Sequence, residues 1–151
     1  MKHWCITALV AAVIAAGCVP NVKNISNRPV KVDAALVKEM ALPVYPNSEV
    51  VANASMRMSE TIQSRQLDML VITYKSSDAL ARVESWYDGK LPHAQRVLSW
   101  HFGSGGMSSF VVGRTESTKQ VQLFGIGSGT QIQLVATTVA SPAPSAGPTG
   151  R

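Results

Sequence analysis

The chain has 151 residues, with 14 Lys+Arg against 9 Asp+Glu for a formal charge of +5; 46% is hydrophobic and 15% charged. That length suits one domain and leaves too little for two comfortable ones. A basic balance raises nucleic acid as a partner, but no Lys/Arg run or nucleic-acid-binding motif accompanies it, so none is expected.

In chain order, Lys2 is followed by an apolar run from Ile6 to Ala16, then Gly17 and Cys18. A charged start, a short apolar centre and a small-residue exit make a secretory signal peptide over residues 1–17. The centre is shorter than the roughly 20 apolar residues that span a bilayer. Ala15-Ala16-Gly17-Cys18 resembles the lipobox of bacterial lipoprotein precursors, with Ala15 where Leu is usual. The resemblance implies cleavage between Gly17 and Cys18, a diacylglycerol on the Cys18 thioether and an acylated amine. It also implies a palmitate-type anchor holding the chain in the cell envelope. Val19, rather than Asp, after the Cys directs the expectation to the outer membrane, facing the periplasm. The alternatives are an ordinary signal peptide cut after Ala16 or Gly17, and an uncleaved anchor. Either removal or acylation accounts for both cysteines, Cys5 and Cys18, and leaves a thiol-free body suited to an oxidising compartment.

Residues 18–42 read as a lipid-anchored tether, broken by Val19-Pro20-Asn21 and Asn27-Arg28-Pro29. Lys23, Arg28, Lys31 and Lys38 outnumber Asp33 and Glu39 there, which suits an anionic leaflet. Asp33 is placed to cap a short helix over Ala34–Met40, with Leu36, Val37 and Met40 on one side; a flexible spacer is the plainer reading. At the other end, residues 140–151 hold three Pro, two Gly and no aliphatic residue larger than Ala, a composition that predicts disorder.

The domain proper is expected over residues 43–139. Alternation from Glu49 to Met58 predicts one half-buried strand, Ser59–Ser64 a turn, and Leu67–Lys75, apolar on both parities except Asp68, a central strand. A helix follows, with Ser76 or Ser77 as cap, Asp78 in the first turn, and Leu80, Val83, Tyr87 and Leu91 as its apolar stripe. Gly89 is placed to stop it. Arg96–Phe102, Ser108–Arg114, Lys119–Ile126 and Thr130–Thr138 then alternate as four strands, with a slip at Phe124 that predicts a bulge. The expected fold is α+β: an antiparallel sheet of five or six strands in the order β-β-α-β-β-β-β, with one helix packed on one face.

Leu42-Pro-Val-Tyr-Pro-Asn-Ser48, Val71-Ile-Thr-Tyr-Lys-Ser-Ser-Asp78, Val83-Glu-Ser-Trp-Tyr87 and Leu91-Pro92 resemble a small domain of exported bacterial proteins of uncharacterised activity. Such domains open on Pro-x-Tyr-Pro-Gly-Ala; Asn47-Ser48 replaces the Gly-Ala here. The resemblance implies a fold and no activity.

The sequence contains no catalytic constellation, and the expectation is a non-enzymatic protein without cofactor or metal. His93 and His101 have no Cys, His or carboxylate at ligand spacing. Gly125-Ile-Gly127-Ser-Gly129 lacks the Lys-Ser/Thr of a phosphate loop, and Gly103–Gly106 lacks the spacing of a nucleophile elbow. Glu84 and Asp88 share a helix face and read as a solvated pair. Trp100, His101, Gln122 and Gln133 are the candidate ligand or partner contacts. Three classes of function stay open: an interaction module contacting an envelope protein, favoured because one helix leaves a Gln-rich face free; a small-ligand or glycan binder; and an envelope hydrolase, which needs a site not visible in the sequence. Oligomeric state is not legible.

Overall fold

The computed structural model describes residues 23–62, 65–103, 105–114 and 117–140. The leader, Cys18 with its cleavage site, and residues 141–151 of the expected tail lie outside them.

Among the described residues eight strands form one antiparallel sheet, and two helices accompany it. The fold is therefore mainly β, with more strands than the five or six expected and a second helix. β1 (Lys23–Pro29), α1 (Ala34–Met40), β2 (Ser48–Val50), β3 (Met56–Ile62) and β4 (Arg65–Ser76) come first. α2 (Leu80–Lys90), β5 (Gln95–Phe102), β6 (Gly105–Arg114), β7 (Ser117–Ile126) and β8 (Gly129–Ala140) follow. The spatial order is β1-β3-β4-β8-β7-β6-β5, with β2 beside the end of β4.

The stretch expected as a tether supplies structure from Lys23 onward. β1 pairs with β3 from Lys23↔Thr61 to Pro29↔Met56. Its polar sequence shows no alternation because an edge strand is held by backbone pairing rather than by a buried face. α1 forms where Asp33 predicts it: the Asp33 carboxylate accepts from the Leu36 amide at 2.9 Å, and Ala41 closes the helix in the left-handed region. Met40 is fully buried against the sheet.

The strand expected over Glu49–Met58 is two strands. β2 ends with Val50↔Tyr74 and β3 begins with Met56↔Val71, so six steps on one side face three on the other. The surplus is looped out through Asn53, which takes a positive φ of 61°. The loop covers buried Thr73, whose hydroxyl donates to the Ala54 carbonyl at 2.9 Å and whose amide donates to Ser55 Oγ at 3.2 Å. Ser59–Ile62, expected in a turn, continue β3. β4 is the central strand, flanked along its length by β8.

Both helices pack on one sheet face. Leu70, Ile72 and Tyr74 of β4, Phe110 of β6, Val121 and Leu123 of β7, and Ile132 and Leu134 of β8 meet Met40, Leu80, Val83 and Tyr87. The α2 stripe is as expected, but Gly89 lies inside the helix; the chain leaves it at Leu91, before Pro92. No serine caps α2: the N-cap is Ala79, while Ser76 Oγ accepts from the Asp78 amide. Asp78 pairs with Arg82 at 3.1 Å.

β7 stays in unbroken register with both neighbours, so the bulge expected at Phe124 is absent; Phe124 sits on the sheet face opposite the helices with Gln120 and Gln122. The register shifts instead in the two edge strands, in β1 between Lys23 and Ser26 and in β5 between Arg96 and Leu98.

Candidate functional site

The β5 irregularity decides where side chains of the edge strand point. Arg96 pairs with Phe110 and Leu98 with Ser109, leaving Val97 extra. Arg96 thereby shares the helix-covered face with Ser99 and His101, while Leu98, Trp100 and Phe102 face the other way.

On the covered side these groups converge on Glu84. Glu84 is 6% exposed, not the solvated partner of Asp88 expected from the sequence, because α2 turns it toward β5 and β6. Its Oε1 accepts from Arg96 Nη1 at 3.0 Å, Ser99 Oγ at 3.1 Å and Ser108 Oγ at 2.5 Å. Its Oε2 lies 2.9 Å from His101 Nε2. Arg96 also bridges to Asp88. Burial pushes the Glu84 carboxyl up, but the hydrogen bonds from Ser108, Ser99 and His101 and the Arg96 charge outweigh it and hold the group below its usual range.

This arrangement brings a histidine, two serines and a carboxylate together, which sequence spacing alone did not. The connectivity matters. A nucleophile activated by His needs the imidazole between hydroxyl and carboxylate. Here the carboxylate is the hub, and Ser108, Ser99 and His101 each address it separately. Glu84 ties α2 to β5 and β6. The available signal was position: Leu80, Val83, Glu84 and Tyr87 follow the spacing of a buried helix stripe, with Glu84 as its one charged member.

Among the described residues no helix lies on the opposite face. Trp100, Met107, Phe124 and Gln131 lie in register across β5, β6, β7 and β8. The neighbouring row on the same face is Leu98, Ser109, Gln122 and Gln133. Three of the four candidate contacts, Trp100, Gln122 and Gln133, are thus on one surface; His101 is on the other face, with Glu84. Trp100 is 59% exposed and Phe102 76%, with ring centroids 6.2 Å apart and planes within 13°. Exposed Ile126 shares their face at the tip of the adjacent β7–β8 hairpin. By contrast, Trp86 and Tyr87 are core-facing: Tyr45, Trp86, Tyr87 and Phe110 form a chain of ring contacts at 5.4, 4.8 and 6.2 Å. His93 is exposed beyond the end of α2.

Among the described residues no group of three His, Cys, Asp or Glu side chains is arranged to hold a metal ion, and no helix is long and apolar enough to cross a membrane. No family model matches the chain, and no curated protein or solved structure is significantly similar to it.

Proposed function

We propose that the chain is a lipid-anchored bacterial envelope protein that uses the helix-free sheet face as a docking surface for an envelope protein. The observation that carries the docking reading is the exposure of Trp100 and Phe102 on a face that both helices leave open. Large exposed aromatics are costly to leave in water and are the residues that anchor interfaces. The leader and the Cys18 sequence support the anchor.

In this reading the two ends of the sheet have different tasks. Lys23 pairs with Thr61, at the sheet end where Gln66 meets Ala140. The aromatic tips lie at the other end, where Ser76 meets Thr130. The ten steps from Gln66 to Ser76 span about 33 Å. Cys18 is five residues from Lys23, a contour of at most about 18 Å. Acylated Cys18 therefore holds the near end at the bilayer and presents Trp100 and Phe102 away from it.

Intact mass of the chain expressed in a bacterial host tests the anchor. The expected product begins at Cys18 and carries a diacylglyceryl mass that Cys18→Ser abolishes. An unlipidated chain cut near Ala16 removes the anchor from the proposal.

A second reading, glycan binding, is favoured by the same exposed Trp100, since an aromatic ring on the same face as the Gln122, Gln131 and Gln133 amides, two and three strands away, suits a sugar chain's C–H and hydroxyl groups. Quenching of tryptophan fluorescence by soluble cell-wall fragments, lost in Trp100→Phe, supports it; unchanged fluorescence dismisses it.

A further inference from the structure

Three of the chain's six methionines occupy neighbouring positions on the sheet face opposite α1 and α2. Met58 of β3 is the direct cross-strand partner of Met69 in β4, and Met56, two residues before Met58 on the same face, pairs with Val71. All three are partly exposed rather than buried. Directly opposed side chains start about 5 Å apart and diagonal ones about 7–8 Å apart. An unbranched thioether with three rotatable bonds closes such gaps without moving the backbone.

One carboxylate lies near: Glu60, two residues after Met58 on the same face, pairs with Leu67 in the next row. The Met58 row continues as Asn27 on β1 and Thr137 on β8, and the Met56 row as Pro29, Val71 and Val135. Neither row brings a carboxylate, imidazole or thiol to the three sulfurs. Half-exposed strand positions ordinarily favour β-branched and aromatic residues, and packing against α1 or α2 does not explain methionine here, because both helices lie on the other face.

We propose that Met56, Met58 and Met69 form a thioether site for a soft monovalent cation, Cu(I), with Ag(I) as its redox-inert analogue. Neutral sulfur donors select such ions over Zn(II), Mg(II) or Ca(II), which need imidazole, thiolate or oxygen ligands. The site is formed across β3 and β4, far from Trp100 along the sheet, and is independent of the docking reading.

The test uses the full chain with Cys5→Ser and Cys18→Ser, so that no thiol competes, and methyl-labelled methionine. Titration with Ag(I) is expected to shift the methyl resonances of Met56, Met58 and Met69 together to saturation at one equivalent, leaving Met107 unmoved. Cu(I), delivered anaerobically in competition with a chromophoric chelator, is expected to bind roughly tenfold or more weakly in the shape-conserving variant Met58→Leu/Met69→Leu than in its parent. Met107→Leu is the matched control. The absence of a joint shift with excess Ag(I), or Cu(I) affinity unchanged by Met58→Leu/Met69→Leu, overturns the site. The labelled parent protein gives the first answer without any methionine variant having to fold.

Discussion

Tyr45 and Asp78 are 33 residues apart and joined by a hydrogen bond of 2.6 Å, phenol donating to carboxylate. The bond links the Pro-x-Tyr-Pro entry to the start of α2, and the Tyr87 hydroxyl adds a second tie by donating to the Pro43 carbonyl at 3.1 Å. The Tyr45 hydrogen bond, with smaller help from Asn47 and Arg82, holds the Asp78 carboxyl below its usual range despite some burial. A carboxyl depressed in the folded state stabilises above its unfolded pKa, and that contribution is lost as pH falls through the folded value. Tyr45→Phe should therefore lower the melting temperature at pH 7, with the gap from wild type narrowing as pH falls below about 4. Thermal scans across pH check this.

Glu84 should behave in the same direction with a larger effect, since its partner Ser108 is fully buried. Glu84→Ala leaves Ser108 without its acceptor and Arg96 with only Asp88, and should cost about 3 kcal/mol in urea unfolding at pH 7. Glu84→Gln keeps the shape and should lose less. Both differences from wild type should shrink in acid, as the wild-type carboxylate is itself protonated.

Gly106 sits where α2 touches the sheet. A β-carbon there would lie 2.4 Å from the Trp100 carbonyl oxygen and 3.0 Å from Leu80 Cδ2, on a backbone with φ of 150°. The first contact is with backbone and cannot be relieved by a rotamer change. Gly106→Ala should destabilise by about 2 kcal/mol, and the same denaturation measurement reads it.

Trp100→Ala and Phe102→Ala should each change stability by less than about 0.5 kcal/mol, because exposed side chains hold little of the fold together. A large loss of melting temperature in either would show that the pair serves the fold instead of a partner.

Much of the architecture was legible because alternation survives wherever one strand face is buried: Ile132, Leu134 and Ala136 in β8 and Val121 and Leu123 in β7 gave their faces directly. The Leu80–Val83–Tyr87 stripe was equally plain, whereas the Asp33 cap marked a helix that the surrounding Pro and Asn residues made read as a flexible spacer. β1 was not, because Lys23–Pro29 has no apolar parity to read. Nor was the break after Val50, since the looped-out residues around Asn53 preserve an alternating appearance on both sides. Phe124 looked like a slipped register only under the assumption that every apolar strand residue faces the core. The Glu84 cluster depended on the extra residue at Val97, which places Arg96 on the same face as Ser99 and His101, and no local pattern announces such a residue. Of the candidate contacts, Trp100, Gln122 and Gln133 could be grouped by parity; His101 belongs to the opposite parity and went with Glu84.

The docking surface is tested most directly by photo-cross-linking in living cells, with a photoreactive residue placed in turn at positions 100, 122 and 133 on the open face and at position 82 on the outer side of α2. A discrete envelope-protein adduct is expected from the open-face positions and none from position 82. Adducts from position 82 alone, or equally from both faces, would contradict the docking surface.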